Sequence, residues 1–377
     1  MEVLGLAVEL AVLFVGFGFM VGVFFGFFGM GGSFLVTPAL LILGYPAPVA
    51  IGSSMAFVFG TAVIAVLKHH DVGQVDYKLG ALMFVGIAIG IEGGKFALLF
   101  LDGLGQAELV VGVVYVLLLA GIGLVFLRSA LTEPDTSETG DEANAAHEDA
   151  TADGEIAGNG DAVGDGEVAG NGDAVDEGVT DPDEIPEIAK TIKSYNVPPM
   201  MTLTDGSKAS LWTISGVGGG VGVVSGFLGV GGGFIRMPAI YYLIGVPLAA
   251  AVGTSLFGAL MSGAVGTFTY GLDGVVDLGV VVTLLAGSAL GARIGSAATA
   301  HVDEDDVTIY FGIMLLLAST AVLLGELESW LDVAILETAS FVLLVGSSAF
   351  VTVVIFYYGA KSIRTDPAIG ARPAERD

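Results

Sequence analysis

Gly226-Phe227-Leu228-Gly229-Val230-Gly231-Gly232-Gly233-Phe234, followed by Pro238-Ala239-Ile240, is the stretch whose reading decides the fold. The same pattern occurs 200 residues earlier as Gly26-Phe27-Phe28-Gly29-Met30-Gly31-Gly32-Ser33-Phe34 with Pro38-Ala39-Leu40. Eight of the fifteen positions from 26 to 40 are identical in the later copy. The likeness runs on. Gly44 and Pro46 answer Gly245 and Pro247, and Gly52-Ser53-Ser54 answers Gly253-Thr254-Ser255. Gly86, Gly90 and Gly94 answer Gly287, Gly291 and Gly295. The chain is therefore read as an internal duplication whose most similar part is a glycine-rich break within hydrophobic sequence.

The surroundings of the two breaks set the protein class. The 377 residues are 54% hydrophobic with a mean hydropathy of +0.82. Several apolar runs reach the roughly 20 residues that cross a bilayer as helix. The expected fold is an all-α integral membrane protein. The absence of cysteine excludes disulfides, thiol catalysis and cysteine-bound metal. Met1-Glu2-Val3-Leu4 lacks a basic leader, and the apolar run after it is read as a membrane helix rather than a signal peptide.

Each half lays out the same elements. The first has segments 3–28, 34–44, 49–67, 79–101 and 108–128; the second has 211–230, 234–245, 247–268, 279–300 and 307–325. The pieces 34–44 and 234–245 are too short to span at about 1.5 Å rise per residue. An extra C-terminal span, 335–358, has no counterpart. The organisation is a first membrane repeat (1–131), an acidic linker (132–208), a second repeat (209–326), an extra helix (327–360) and a basic tail (361–377). Residues 132–188 hold 19 of the 40 acidic side chains and no Lys or Arg, so the net charge of −27 belongs largely to one segment. Acidic, glycine-rich sequence of this kind cannot bury enough apolar surface to fold, and disorder is expected.

Basic residues near span ends place the tail and the linker in the cytoplasm. The equivalent loops 68–78 and 269–278 then fall on opposite faces, because only the first carries lysine. This favours inverted repeats, each with three spans and one broken, re-entrant element. The alternative is four crossings per half, parallel repeats and an external linker.

A broken helix in lipid leaves peptide groups without partners, at several kcal/mol each, and survives only inside protein or beside a wet cavity. Free N–H groups after each glycine turn, with the partial positive charge of a helix start, suit an anion. Ser33, Ser53, Ser54, Thr254 and Ser255 add hydroxyls. Arg236, where the first half has Val36, is either a counter-charge for the anion or a side chain snorkelling to the interface. Gly16, Gly18, Gly22, Gly216 and Gly222 are read as helix-packing residues. Glu92 and Lys95, three apart, are expected to pair with each other. Arg293 is read as an interfacial anchor, and Asp76 and Asp277 as helix caps. His69, His70, His147 and His301 lie outside the spans, so no base is available to a membrane serine and no metal site is expected. No Gly-x-x-x-x-Gly-Lys loop is present for ATP.

These motifs, together over roughly 5–130 and 210–325, resemble the TauE/SafE sulfite exporter family. The resemblance implies a multi-span permease for sulfite or small organosulfur anions. The substrate-binding residues expected are Gly29, Gly31, Gly32, Ser33, Pro38, Ser53 and Ser54 in the first half. In the second they are Gly229, Gly231, Gly232, Gly233, Arg236, Pro238, Thr254 and Ser255. Catalytic residues, metals and cofactors are none. The expected partners are the lipid bilayer and a small anionic substrate, without nucleic acid, and a homo-oligomer is left open. The competing reading is a non-transporting membrane sensor or scaffold that works through its acidic linker. Ser33 departs from the family's third glycine and puts equal use of the two half-sites in doubt.

Overall fold

The computed structural model describes residues 2–3, 5–28, 32–70, 77–132, 198–202, 208–244, 248–298, 304–331 and 333–365. Gly29, Gly31, Asp76, His301, most of the 132–208 linker and the end of the basic tail lie outside the described residues. After a small ribbon of β1 (Glu2–Val3) and β2 (Leu6–Ala7), the first half runs α1 (Val8–Phe28), a 3-10 turn (Gly32–Leu35) and α2 (Val36–Ile42). It continues with α3 (Ala47–His70), α4 (Tyr77–Gly103) and α5 (Ala107–Thr132). A second ribbon, β3 (Met200–Thr202) with β4 (Lys208–Ser210), leads into the second half, and Lys78 donates to the Thr202 carbonyl. There follow α6 (Leu211–Leu228), α7 (Gly233–Ala239), a π-helical turn (Ile240–Ile244), α8 (Leu248–Leu272), α9 (Leu278–Ala298), α10 (Glu304–Leu331) and α11 (Ala334–Thr365).

Among the described residues, eight helices are long and apolar enough to cross a membrane: α1, α3, α4, α5, α6, α9, α10 and α11. Large apolar side chains such as Phe96, Phe268, Leu290 and Phe350 face outward, as lipid contact requires.

Glycines decide which helices touch. A methyl placed on Gly86 or Gly90 would lie 2.2 Å from the carbonyl oxygen of Ser215 or Gly219, and one on Gly94 equally close to that of Val223. These contacts ascend together in sequence, so α4 and α6 run parallel. On the other side, Gly287, Gly291 and Gly295 meet the carbonyls of Val15, Phe19 and Val23, and α9 runs parallel to α1. Each half thus packs its first long helix on a helix of the other half. In lipid no hydrophobic force drives helices together, so backbone approach through small residues supplies the attraction. Gly18, Gly22 and Gly222 take part as expected, whereas Gly16 and Gly216 face open space and are not packing residues within this chain.

The remaining contacts fix the other directions. Asp277 N–H bonds Ser53 Oγ and Gly60 meets Leu285, so α3 also runs parallel to α9. Gly80 meets Phe257 and Lys95 bonds the Thr269 carbonyl, so α8 runs parallel to α4. Gly266 against Met55 and Gly263 against Phe59 make α3 and α8 antiparallel. Ser319 donates to Val116 O and Gly112 meets Glu326, which makes α5 and α10 antiparallel. The additional helix α11 returns along α10, with Ser340 donating to Ala321 O, and stacks Phe356 on Phe19 of α1 at 6.3 Å. Asp277 caps α9, its Oδ1 accepting from Gly279 N at 2.9 Å and Val280 N at 3.1 Å.

Candidate functional site: the second helix break

The second break is built by three glycines in left-handed conformation, Gly229, Gly231 and Gly232, at φ 75°, 63° and 74°. A side chain at any of these would be strained, and the backbone reverses between Leu228 and Gly233 only because all three lack one. Gly229 ends α6 with its N–H on Ser225 O at 2.8 Å.

The last carbonyls of α6 would be orphaned in lipid. They are taken up by hydroxyls from three separate elements. Tyr270 OH donates to Gly226 O, and Tyr115 OH donates to Leu228 O. Thr37 Oγ lies 3.0 Å from Leu228 O and 2.8 Å from Ser54 Oγ. A hydroxyl has one proton, so Thr37 donates to the carbonyl and Ser54 donates to Thr37. Ser53 and Ser54 are thus both engaged in holding the fold.

Arg236, on α7, is the centre of the arrangement. Its side chain is 0% exposed, which overturns the snorkelling alternative. Nη1 donates to Ser255 O at 3.1 Å, and Nη2 donates to Gly231 O at 3.1 Å and Ser262 Oγ at 3.0 Å. Ser262 in turn donates to the backbone, with Gly231 O at 2.7 Å, and Ser255 Oγ donates to Gly233 O at 2.9 Å. None of the partners is a carboxylate. Among the described residues, the guanidinium Nε has no partner, and neither has the buried hydroxyl of Ser225. Ser225 Oγ and Arg236 Nη2 face one spot: a methyl on Gly232 would sit 2.5 Å from the first and 3.2 Å from the second. Gly258 lies on the opposite side, where a methyl would meet Arg236 Nε at 2.8 Å.

The structure therefore brings together Gly231, Gly232, Gly233, Arg236 and Ser255 of the expected set. Gly229 turns instead toward Thr37 and Ile51. Thr254 is buried on α8, and Pro238 lies in α7. In the first half, Gly32 and Ser33 fall in the 3-10 turn, and Pro38 is buried in α2. Sequence reasoning misses Ser225, Ser262, Thr37, Tyr115 and Tyr270. The spacing of Ser255, Gly258 and Ser262 along one face of α8 is the signal available for part of this group.

The first break has different company. Val36, at the position of Arg236, is fully buried, and Phe34 meets Phe311 edge-on at 5.9 Å. Phe28 and Phe126 pack on the same ring at 4.2 and 5.4 Å. A cavity of about 620 Å³ opens beside the short piece that follows the first break, lined by Pro38, Tyr45, Glu108, Glu326, Trp330 and Glu337 among others. At the second break, Val58, Val221, Ser225 and Arg236 close over Gly231 and Gly232.

Comparison with known proteins finds relatives named as probable membrane transporters. The chain is 23% identical over 303 residues to a probable membrane transporter protein of Xylella fastidiosa strain 9a5c, covering 77% of this chain and 85% of that one. It is 22% identical over 315 residues to the probable membrane transporter protein YunE of Bacillus subtilis, covering 81% and 94%. A stretch of 80 residues, 20% of this chain and 28% of the relative, is 35% identical to the probable membrane transporter protein MJ0441 of Methanocaldococcus jannaschii. No solved structure matches. The family profile described as Sulfite exporter TauE/SafE matches residues 14–322, and the chain belongs to that family.

Proposed function

We propose that this multi-pass membrane transporter is a secondary permease for a small anion, a sulfite, sulfonate or related organosulfur anion, held at the second break by Arg236. One observation carries the reading: a fully buried guanidinium whose partners are only carbonyls and hydroxyls. Burying an uncompensated charge costs several kcal/mol, and in spanning proteins such a residue marks a path or a ligand. Gly231, Gly232, Gly233, Thr254 and Ser255 form the walls of this half-site. Gly29, Gly31, Gly32 and Ser33 with Pro38 form its weaker counterpart. The anion binds by replacing Gly231 O and Ser255 O on the guanidinium.

The helix directions support inverted repeats. α1 and α3 share one direction, α6 and α8 the opposite one, and two consecutive long helices can run the same way only if the chain turns back between them. α2 and α7, at seven residues each, make those partial returns. Alternating access follows when the two halves rock about the α3–α8 contact. α5 and α11 leave the bundle on one face. Lys361 and Arg364 near the end of α11 support a cytoplasmic position for that face, and with it the linker, in a cell-membrane protein.

The test is flux in proteoliposomes with sulfite, sulfate, thiosulfate and methanesulfonate. The purified chain is expected to carry at least one sulfur anion. Arg236→Gln is expected to lower that flux by at least about tenfold, since charge-assisted bonds to a buried anion are worth more than 1.4 kcal/mol, while elution and thermal stability stay near wild type. Flux through Arg236→Gln at the wild-type rate would remove Arg236 from the site.

A further inference from the structure

Among the described residues, Arg236 is a buried cation whose partners include no carboxylate, and this bears on how much charge a passenger brings. Resting on the permease reading above, we infer that the second-break site selects anions of single negative charge, monoanionic sulfonates and hydrogen sulfite, over dianions such as sulfate, sulfite in its fully ionised form, or a carboxylated sulfonate.

Three observations converge. First, Arg236 is fully buried and contributes one positive charge. Second, the repeat-equivalent position is Val36, itself fully buried, and Phe28 and Phe34, which flank the first break, pack on Phe311. The duplication therefore supplies one charged half-site and one apolar half-site rather than two alike. Third, Lys95, at the contact of α4 with α8, is already neutralised by Asp273 at 2.7 Å. A monoanion beside Arg236 makes a neutral pair. A dianion leaves one negative charge uncompensated among Val58, Val221 and the glycine backbone, where water is excluded and each unpaired charge costs several kcal/mol.

Arg236 Nε–H and the Ser225 hydroxyl are both buried and both lack partners. Ser225 Oγ and Arg236 Nη2 lie on the Gly232 side, and Nη1 and Nη2 become donors for the passenger's oxygens once they leave Ser255 O and Gly231 O.

The experiment uses the full chain in proteoliposomes clamped at zero membrane potential, with methanesulfonate and ethanesulfonate as monoanions and methanedisulfonate and sulfoacetate as their dianionic partners. Sulfite exchange is measured on both sides of its second ionisation. Monoanions are expected to cross at least about tenfold faster than their partners, and sulfite flux to follow the hydrogen sulfite fraction. Val36→Arg is expected to narrow the gap by adding the second charge. Dianions crossing as fast as monoanions, with Arg236→Gln still inactive, would overturn the charge selectivity and leave the permease reading standing. No flux of any sulfur anion through the wild-type chain would remove both.

Discussion

Lys95 Nζ lies 2.7 Å from the carboxylate of Asp273, joining α4 of the first half to the turn between α8 and α9 of the second. The lysine also donates to Thr269 O at 2.9 Å and rests over the ring of Tyr270. Glu92, one turn away on the same helix, is not its partner. A long lysine side chain near lipid reaches the charge that best desolvates with it, and Asp273 offers this across the helix contact, whereas Glu92 points outward. Three-residue spacing on one helix cannot reveal a partner on another.

Asp273→Asn is expected to loosen this face without unfolding the protein. The carboxylate is about one-third exposed, so the pair is worth no more than about 1 kcal/mol. The chain has no cysteine, so a single cysteine at Thr269 reports opening there. Labelling of that cysteine by a charged maleimide should rise up to about fivefold when Asp273→Asn is added. An unchanged rate would show that the pair does not hold the halves together.

Gly90→Ala and Gly291→Ala are expected to separate α4 from α6 and α1 from α9. The added methyl would lie 2.2 Å from the Gly219 carbonyl in one case and 2.1 Å from that of Phe19 in the other, and backbone cannot yield as a side chain does. Overpacking of this kind costs about 1–3 kcal/mol, visible as a clear fall in melting temperature in detergent. Gly16→Ala and Gly216→Ala, which meet nothing within 4 Å, should leave it unchanged. Equal effects in all four would contradict the assigned contacts.

The breaks and the long helices are legible in the sequence because each rests on a local property. Glycine alone accepts the left-handed angles of 229, 231 and 232, and an apolar run of spanning length has one use. The cap at Asp277 is legible for the same reason. What is not legible is set by partners distant in sequence. Ser225 and Ser262 look like any hydroxyl in an apolar helix until α7 places Arg236 beside them. Tyr115 and Tyr270 look like buried aromatics until they meet the carbonyls of α6. The closing of Val58 and Val221 over the glycines of the break is invisible for the same reason.

Tyr270→Phe is expected to destabilise more than Tyr115→Phe. Each removes a hydroxyl from a carbonyl next to the break, and a buried acceptor left unmet costs about 1–3 kcal/mol. Leu228 O keeps Thr37 when Tyr115 is lost, whereas Gly226 O has Tyr270 as its side-chain donor. Thr37→Val combined with Tyr115→Phe should therefore cost more than the sum of the two single changes. Thermal melts of the four proteins measure this, and strict additivity would argue against a shared acceptor.

Gly258→Ala tests the site without altering any charge or hydrogen-bonding group. The methyl would lie 2.6 Å from Arg236 Cδ, 2.8 Å from Nε and 3.0 Å from Cζ, so the arginine must shift. It is held by Ser255 O, Gly231 O and Ser262 Oγ, and a shift large enough to relieve the methyl breaks at least one of these bonds. The contact is with a long side chain, not backbone, so the cost in stability should stay near the low end of about 1–3 kcal/mol. The effect on transport should be much larger, at least about tenfold, because a misplacement of about 1 Å at a binding group is costly. Small loss of stability with large loss of flux is the expected signature. Equal flux through Gly258→Ala, with the melting temperature lowered, would mean that the passenger does not depend on where the guanidinium sits.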